Sequence, residues 1–202
     1  MKTRTNKKIS GLSLLEVVVV LGIVSVLIGA FGFSVYIRSR DNLLLEQAAQ
    51  DLASEIRLVQ SRILAVQSTV GTTPPKAAVI RLAEGADPQI GYVYPTASDN
   101  CPSPSSVEKT LNITSRAEIS SVSPASTVYL VFASPAGRFY SFTHVSSSVK
   151  DVSFEQAPNN GCRPINSYSY ITENIDVILT NGNVSYKVSI DSGNGAATVE
   201  PI

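Results

Sequence analysis

Lys7-Lys8-Ile9-Ser10-Gly11-Leu12-Ser13-Leu14-Leu15-Glu16-Val17-Val18-Val19-Val20 opens an apolar run from Leu12 to Ile37, in which the only polar side chains are Ser13, Glu16, Ser25, Ser34 and Tyr36. A helix needs about 20 apolar residues to span a bilayer, so the run predicts a membrane helix. Lys2, Arg4, Lys7 and Lys8 precede it and only Arg38 and Arg40 follow closely, a bias that places the N-terminus in the cytoplasm and the remainder outside. An ordinary secretory signal has an apolar region of about 7–15 residues, shorter than this one. A plain signal anchor fits the length and leaves Glu16 unexplained. A carboxylate in a membrane helix costs on the order of 2.5–3.5 kcal/mol or more, so Glu16 calls for something that neutralises it.

The segment Lys7 to Val20 resembles the class III signal of type IV pilins and type II secretion pseudopilins: a basic leader, a glycine, a small hydroxyl residue, and an acid at fixed distance before an apolar span. In that family a prepilin peptidase cuts after the glycine on the cytoplasmic side, and the new N-terminal residue is methylated. The resemblance makes Gly11 the last leader residue, Leu12 the new N-terminus, where the family usually has Phe, and Glu16 the buried acid. A newly exposed α-amine has a pKa of about 7.7–8.0 and is mostly protonated at neutral pH, so cleavage creates the missing cation. Pairing that amine with Glu16 of a neighbouring subunit fixes the axial register of two helices; pairing within one chain, or snorkelling of Glu16 to the interface, is the simpler alternative. Gly22, Gly29 and Gly32 either permit close helix packing or are merely tolerated.

After Ile37 the pattern becomes a stripe of Leu45, Ala48, Leu52, Ile56, Val59, Ile63 and Val66, spaced three or four apart as on one helix face. Glu46, Gln47, Gln50, Asp51, Glu55, Arg57, Gln60 and Arg62 form the opposite, solvated face, and Gly71 with Pro74-Pro75 ends the helix near Gln67. Strands are expected at Ala77–Leu82, Ile90–Tyr94, Thr127–Ala133, Arg138–Thr143, Ile175–Thr180, Asn183–Ile190 and Ala196–Glu200. Asn181-Gly182 predicts a two-residue hairpin turn, with Val184, Tyr186, Val188 and Ile190 on one face. A second hairpin is expected around Ser134-Pro135-Ala136-Gly137. Thr96 to Ser126 and Pro158-Asn159-Asn160-Gly161 read as long surface loops holding Cys101 and Cys162. Two cysteines in an exported domain favour one disulfide; in a reducing cytosol they are two unrelated thiols.

The fold class is therefore α+β: a long N-terminal helix, membrane stem plus amphipathic half, packed on an antiparallel sheet. Residues 1–11 are read as a cleaved basic leader, 12–37 as the transmembrane and filament-core helix, 38–70 as the amphipathic helix, and 71–202 as an exported β-rich domain. The segments Val131-Phe132-Ala133-Ser134-Pro135-Ala136-Gly137-Arg138 and Val188 to Val199 are similar to the GspH/FimT group of minor pseudopilins, which implies a pilin-like fold.

Of the 16 basic residues four precede Gly11, so the remaining 12 face 16 acidic ones, and a mildly acidic mature chain is not expected to bind nucleic acid. The lone histidine, His144, ends a predicted strand and reads as a surface or edge residue. No nucleophile elbow, phosphate-binding loop or H-E-x-x-H pattern is present, so no catalytic, cofactor or metal residue is assigned and an enzyme is not expected. The resemblance implies a minor pilin or pseudopilin of a type IV pilus or type II secretion pseudopilus. Its partners are then prepilin peptidase, other subunits, the inner-membrane assembly platform and lipid, and it sits in the inner membrane before joining the filament. A major pilin and a DNA-uptake minor pilin are the alternatives.

Overall fold

The computed structural model describes residues 14–65, 73–113, 117–134, 138–144, 146–157, 161–165 and 168–202, with the side chains of 30–35 and 38 outside that description. The chain divides into two compact units, Met1–Arg40 and Asp41–Ile202. Helix α1 covers Leu14–Leu64. Twelve strands follow among the described residues: β1 (Ala77–Ala83), β2 (Ala86–Val93), β3 (Lys109–Thr110), β4 (Glu118–Ser123), β5 (Thr127–Ala133), β6 (Arg138–Thr143), β7 (Phe154–Gln156), β8 (Cys162–Pro164), β9 (Ser169–Tyr170), β10 (Ile175–Thr180), β11 (Ser185–Ile190) and β12 (Ala197–Pro201). A 3-10 turn, Val149–Asp151, precedes β7. The class is α+β. The strands form a six-stranded sheet in the order β3-β2-β1-β5-β6-β9, a four-stranded sheet β12-β11-β10-β4, and the pair β7-β8.

Within Asp41–Ile202, the helical stripe Leu45, Ala48, Leu52, Ile56, Val59 and Ile63 is buried, as are Ala49 and Ala53. Val66 and the predicted helix stop lie outside the described residues. The stripe packs against Ala78, Ile80 and Leu82 of β1, Leu130 and Phe132 of β5, and Val177, Leu179, Val188 and Ile190 of the smaller sheet, in one core. Each fully buried Leu or Ile contributes about 1.5–3 kcal/mol relative to exposure. The other face of β1 and β5 is also covered: Ala77, Val79, Tyr129 and Val131 pack with Phe142, Val149, Val152 and the two cysteines. Burial on both faces explains why β1 and β5 read as continuous apolar runs rather than alternating ones.

Three expectations need correction. The stretch Thr96 to Ser126 is not loop throughout, for it contains β3 and β4. Strand β4 hides behind its serines: Ile119 and Val122, three apart, both reach the core because the ladder to β10 shifts register between Ile178 and Leu179. The Asn181-Gly182 connection is four residues, not two, since Thr180 pairs with Ser185. The Asn181 side-chain carbonyl accepts the backbone N–H groups of Asn183 and Val184 at 3.1 and 3.0 Å, and Gly182 takes φ +87°. The shift of two preserves parity, so Val188 and Ile190 remain on the core face as the alternation predicts, with Val184 and Tyr186 packed at its margin. Finally, the helix basics are not simply solvated. Arg57 donates to the Ala197 carbonyl through Nε at 3.2 Å and through Nη2, tying α1 to β12, and Arg62 Nη1 donates to the Tyr92 hydroxyl at 3.4 Å.

Candidate functional site

Glu16 lies on α1 within the first described turn, Leu14 being the first residue described. Glu16 is exposed, and so are the apolar side chains around it: Leu14 is 83 % exposed, Leu15 74 % and Val18 60 %. The same holds through Ile28 at 67 %. Nothing lies within 4 Å of where a Cβ would stand on Gly22 or Gly29. Val19, Gly22, Ile23, Val26 and Leu27, spaced three and four apart, line a shallow apolar groove centred on Gly22. The Ser25 hydroxyl donates to the Leu21 carbonyl at 2.7 Å, which removes its polarity from the surface. Among the described residues no helix is long and apolar enough to cross a membrane. Gly11 and Leu12 lie outside the described residues.

In the unit Asp41–Ile202 the two cysteines are joined, with Cα atoms 5.5 Å apart and a sequence separation of 61. Both are buried, which corrects their placement in surface loops: Cys101 is 3 % exposed and Cys162, the first residue of β8, 1 %. The bond clips the segment after β2 to the β7-β8 pair and completes the second core. Glu16 belongs to the other unit.

The sequence reading missed a cleft of about 630 Å³ at the end of the large sheet where β1 and β6 finish and β5 begins. Arg81 of β1, Ser126, Thr127, Thr143, His144, Ser146, Ser147, Tyr168 and Ser169 line it, with Ala125. Arg81 lies opposite Tyr129 in the ladder, and its Nε is buried without a hydrogen-bond partner. Burial holds the Tyr129 phenol above its usual pKa, while its hydrogen bond to the Ser146 carbonyl, at 2.9 Å, the Arg81 charge and a hydrogen bond with the Arg81 side chain act the other way. His144, half-buried directly after β6, lies near the rings of Tyr129 and Tyr168, with centroids at 6.0 and 4.9 Å. Tyr168 stacks on Phe142 at 4.5 Å, and its hydroxyl accepts the Ser153 N–H at 2.7 Å, so its ring is held at both ends. The one signal in the sequence was an arginine inside the apolar strand Ala77-Ala78-Val79-Ile80-Arg81-Leu82-Ala83. Among the described residues no group of three or more His, Cys, Asp or Glu is arranged to hold a metal ion.

Comparison of the chain with protein families, with characterised proteins and with solved structures finds no match.

Proposed function

We propose that the protein is a minor pilin or pseudopilin, a structural subunit that enters the inner membrane by its N-terminal helix, is cleaved after Gly11, and packs that helix into a type IV pilus or type II secretion pseudopilus. The observation that carries this reading is an acid, Glu16, in the first described turn of a helix whose surrounding apolar side chains are exposed. An apolar surface of that extent on a soluble chain calls for cover, and a lone carboxylate within it calls for a cation. Lipid supplies the cover before assembly and neighbouring helices supply it afterwards. The α-amine of Leu12, freed by the peptidase, supplies the cation. The β-rich unit is then carried outside the membrane in a pilin-like arrangement, where an oxidised Cys101–Cys162 pair is at home. The role is structural rather than catalytic.

Two substitutions test the steps separately. Gly11→Ala is expected to leave the leader attached, read as the intact mass of the membrane-bound chain. Glu16→Ala is expected to be processed normally and to be lost from the sheared filament fraction. Normal incorporation of the Glu16 variant removes the intersubunit pair, and a native first residue other than Leu12 removes the whole reading. The abundance of the chain in that fraction separates a minor subunit from a major one.

A further inference from the structure

We infer that the cleft at the end of the large sheet binds a carboxylate-bearing sugar, with Arg81 as the carboxylate's partner and Tyr168 as the platform for the ring. The inference is independent of the filament reading, because every lining residue belongs to the unit Asp41–Ile202. Arg81 pairs with no carboxylate among the described residues, and none of the cleft-lining residues is acidic. Asp151, whose charge acts on the neighbouring Tyr129, already accepts the Ser146 hydroxyl. The Arg81 guanidinium lines the cleft beside the Tyr129 phenol, its one side-chain partner among the described residues, and a planar carboxylate takes two parallel N–H donors from such a group.

The rest of the lining narrows the class of anion. Ser126, Thr127, Thr143, Ser147 and Ser169 present hydroxyls, each both donor and acceptor, which suits a ligand rich in hydroxyl groups better than a bare ion. Tyr168 offers an aromatic surface already fixed by stacking on Phe142 and by the Ser153 N–H, so little ordering is needed when the apolar face of a pyranose ring settles on it. A volume of about 630 Å³ accommodates one or two sugar units.

The test is titration of the full-length, detergent-solubilised protein with D-glucuronate, D-glucose, acetate and inorganic phosphate, followed by isothermal titration and saturation-transfer NMR. Saturable D-glucuronate binding is expected, with glucose and acetate each weaker by about tenfold or more. Arg81→Gln is expected to weaken D-glucuronate by about ten- to hundredfold, the scale of one charged hydrogen-bonding partner. Ser126→Tyr, which fills the cleft from an exposed turn and leaves Arg81 in place, is expected to abolish the same binding, so a folding defect in the arginine variant does not decide the matter. Acetate or phosphate binding as tightly as D-glucuronate, absence of saturable D-glucuronate binding, or unchanged affinity in both variants overturns the inference.

Discussion

Val18 and Ile56 are β-branched residues of the same helix with opposite surroundings: Val18 is 60 % exposed and Ile56 0 %. Around Ile56 the apolar residues recur every three or four positions, and the sheets cover that one stripe. Around Val18 they occupy nearly every position, Glu16 excepted, and a helix apolar on nearly all sides has no single face a sheet can cover. The first pattern is satisfied within the chain. The second asks for an apolar environment on all sides, which lipid or a bundle of like helices provides.

The most severe way to break this contrast is a matched truncation. Ile56→Ala is expected to cost about 2–5 kcal/mol of unfolding free energy and Val18→Ala no more than about 0.5 kcal/mol, measured by denaturant titration of the detergent-solubilised chain. Equal losses at the two positions end the contrast. Reducing Cys101–Cys162 is expected to remove about 2–4 kcal/mol, since the bond spans a sequence separation of 61, and hydrogen exchange is expected to place the loss in Asp41–Ile202 while the amides of Leu14–Arg40 are unchanged. Two glycines sharpen the comparison further. A Cβ on Gly195, where φ is +71°, meets Phe132 at 2.6 Å and Phe139 at 2.7 Å, so Gly195→Ala is expected to lower stability by about 1–3 kcal/mol. On Gly22 a Cβ meets nothing, and Gly22→Ala is expected to raise helix stability by up to about 1 kcal/mol, read by thermal melting of the helical signal.

The smallest effect is on pH. Burial is the largest influence on the Tyr129 phenol and raises its pKa above 10.0; Tyr94 and Tyr170 are raised for the same leading reason. Below pH 10 these phenols are protonated in both states and their stabilising contribution is complete. As pH rises the unfolded chain ionises first, and the contribution is lost through the folded pKa. Stability is therefore expected to fall above about pH 10, and Tyr129→Phe to show a shallower alkaline decline in denaturant titrations carried out across that range.

The helical stripe was legible because six side chains at three-and-four spacing face one core, and strands β5, β6 and β10 were legible because their apolar runs are bounded by turn residues. Strand β4 was not, since its two core residues are separated by a bulge that only the pairing with β10 creates. The cleft was not legible because Arg81, Ser126, His144 and Tyr168 come from four separate segments. That His144 has Tyr129 and Tyr168 as ring neighbours was likewise a matter of tertiary placement.

By itself the sequence determined local matters: which stretch is apolar on nearly every side, which is apolar on one, where the charges bracket a possible span, and where chain reversals fall. These depend on residues a few positions apart, within reach of helical or strand periodicity. Tertiary structure alone decided which distant segments share a surface: that Arg57 holds β12, that β1 and β5 are covered on both faces, and that an arginine and a fixed tyrosine ring meet in one cleft. Sheet order brings together residues far apart in the chain, and no local pattern encodes that order.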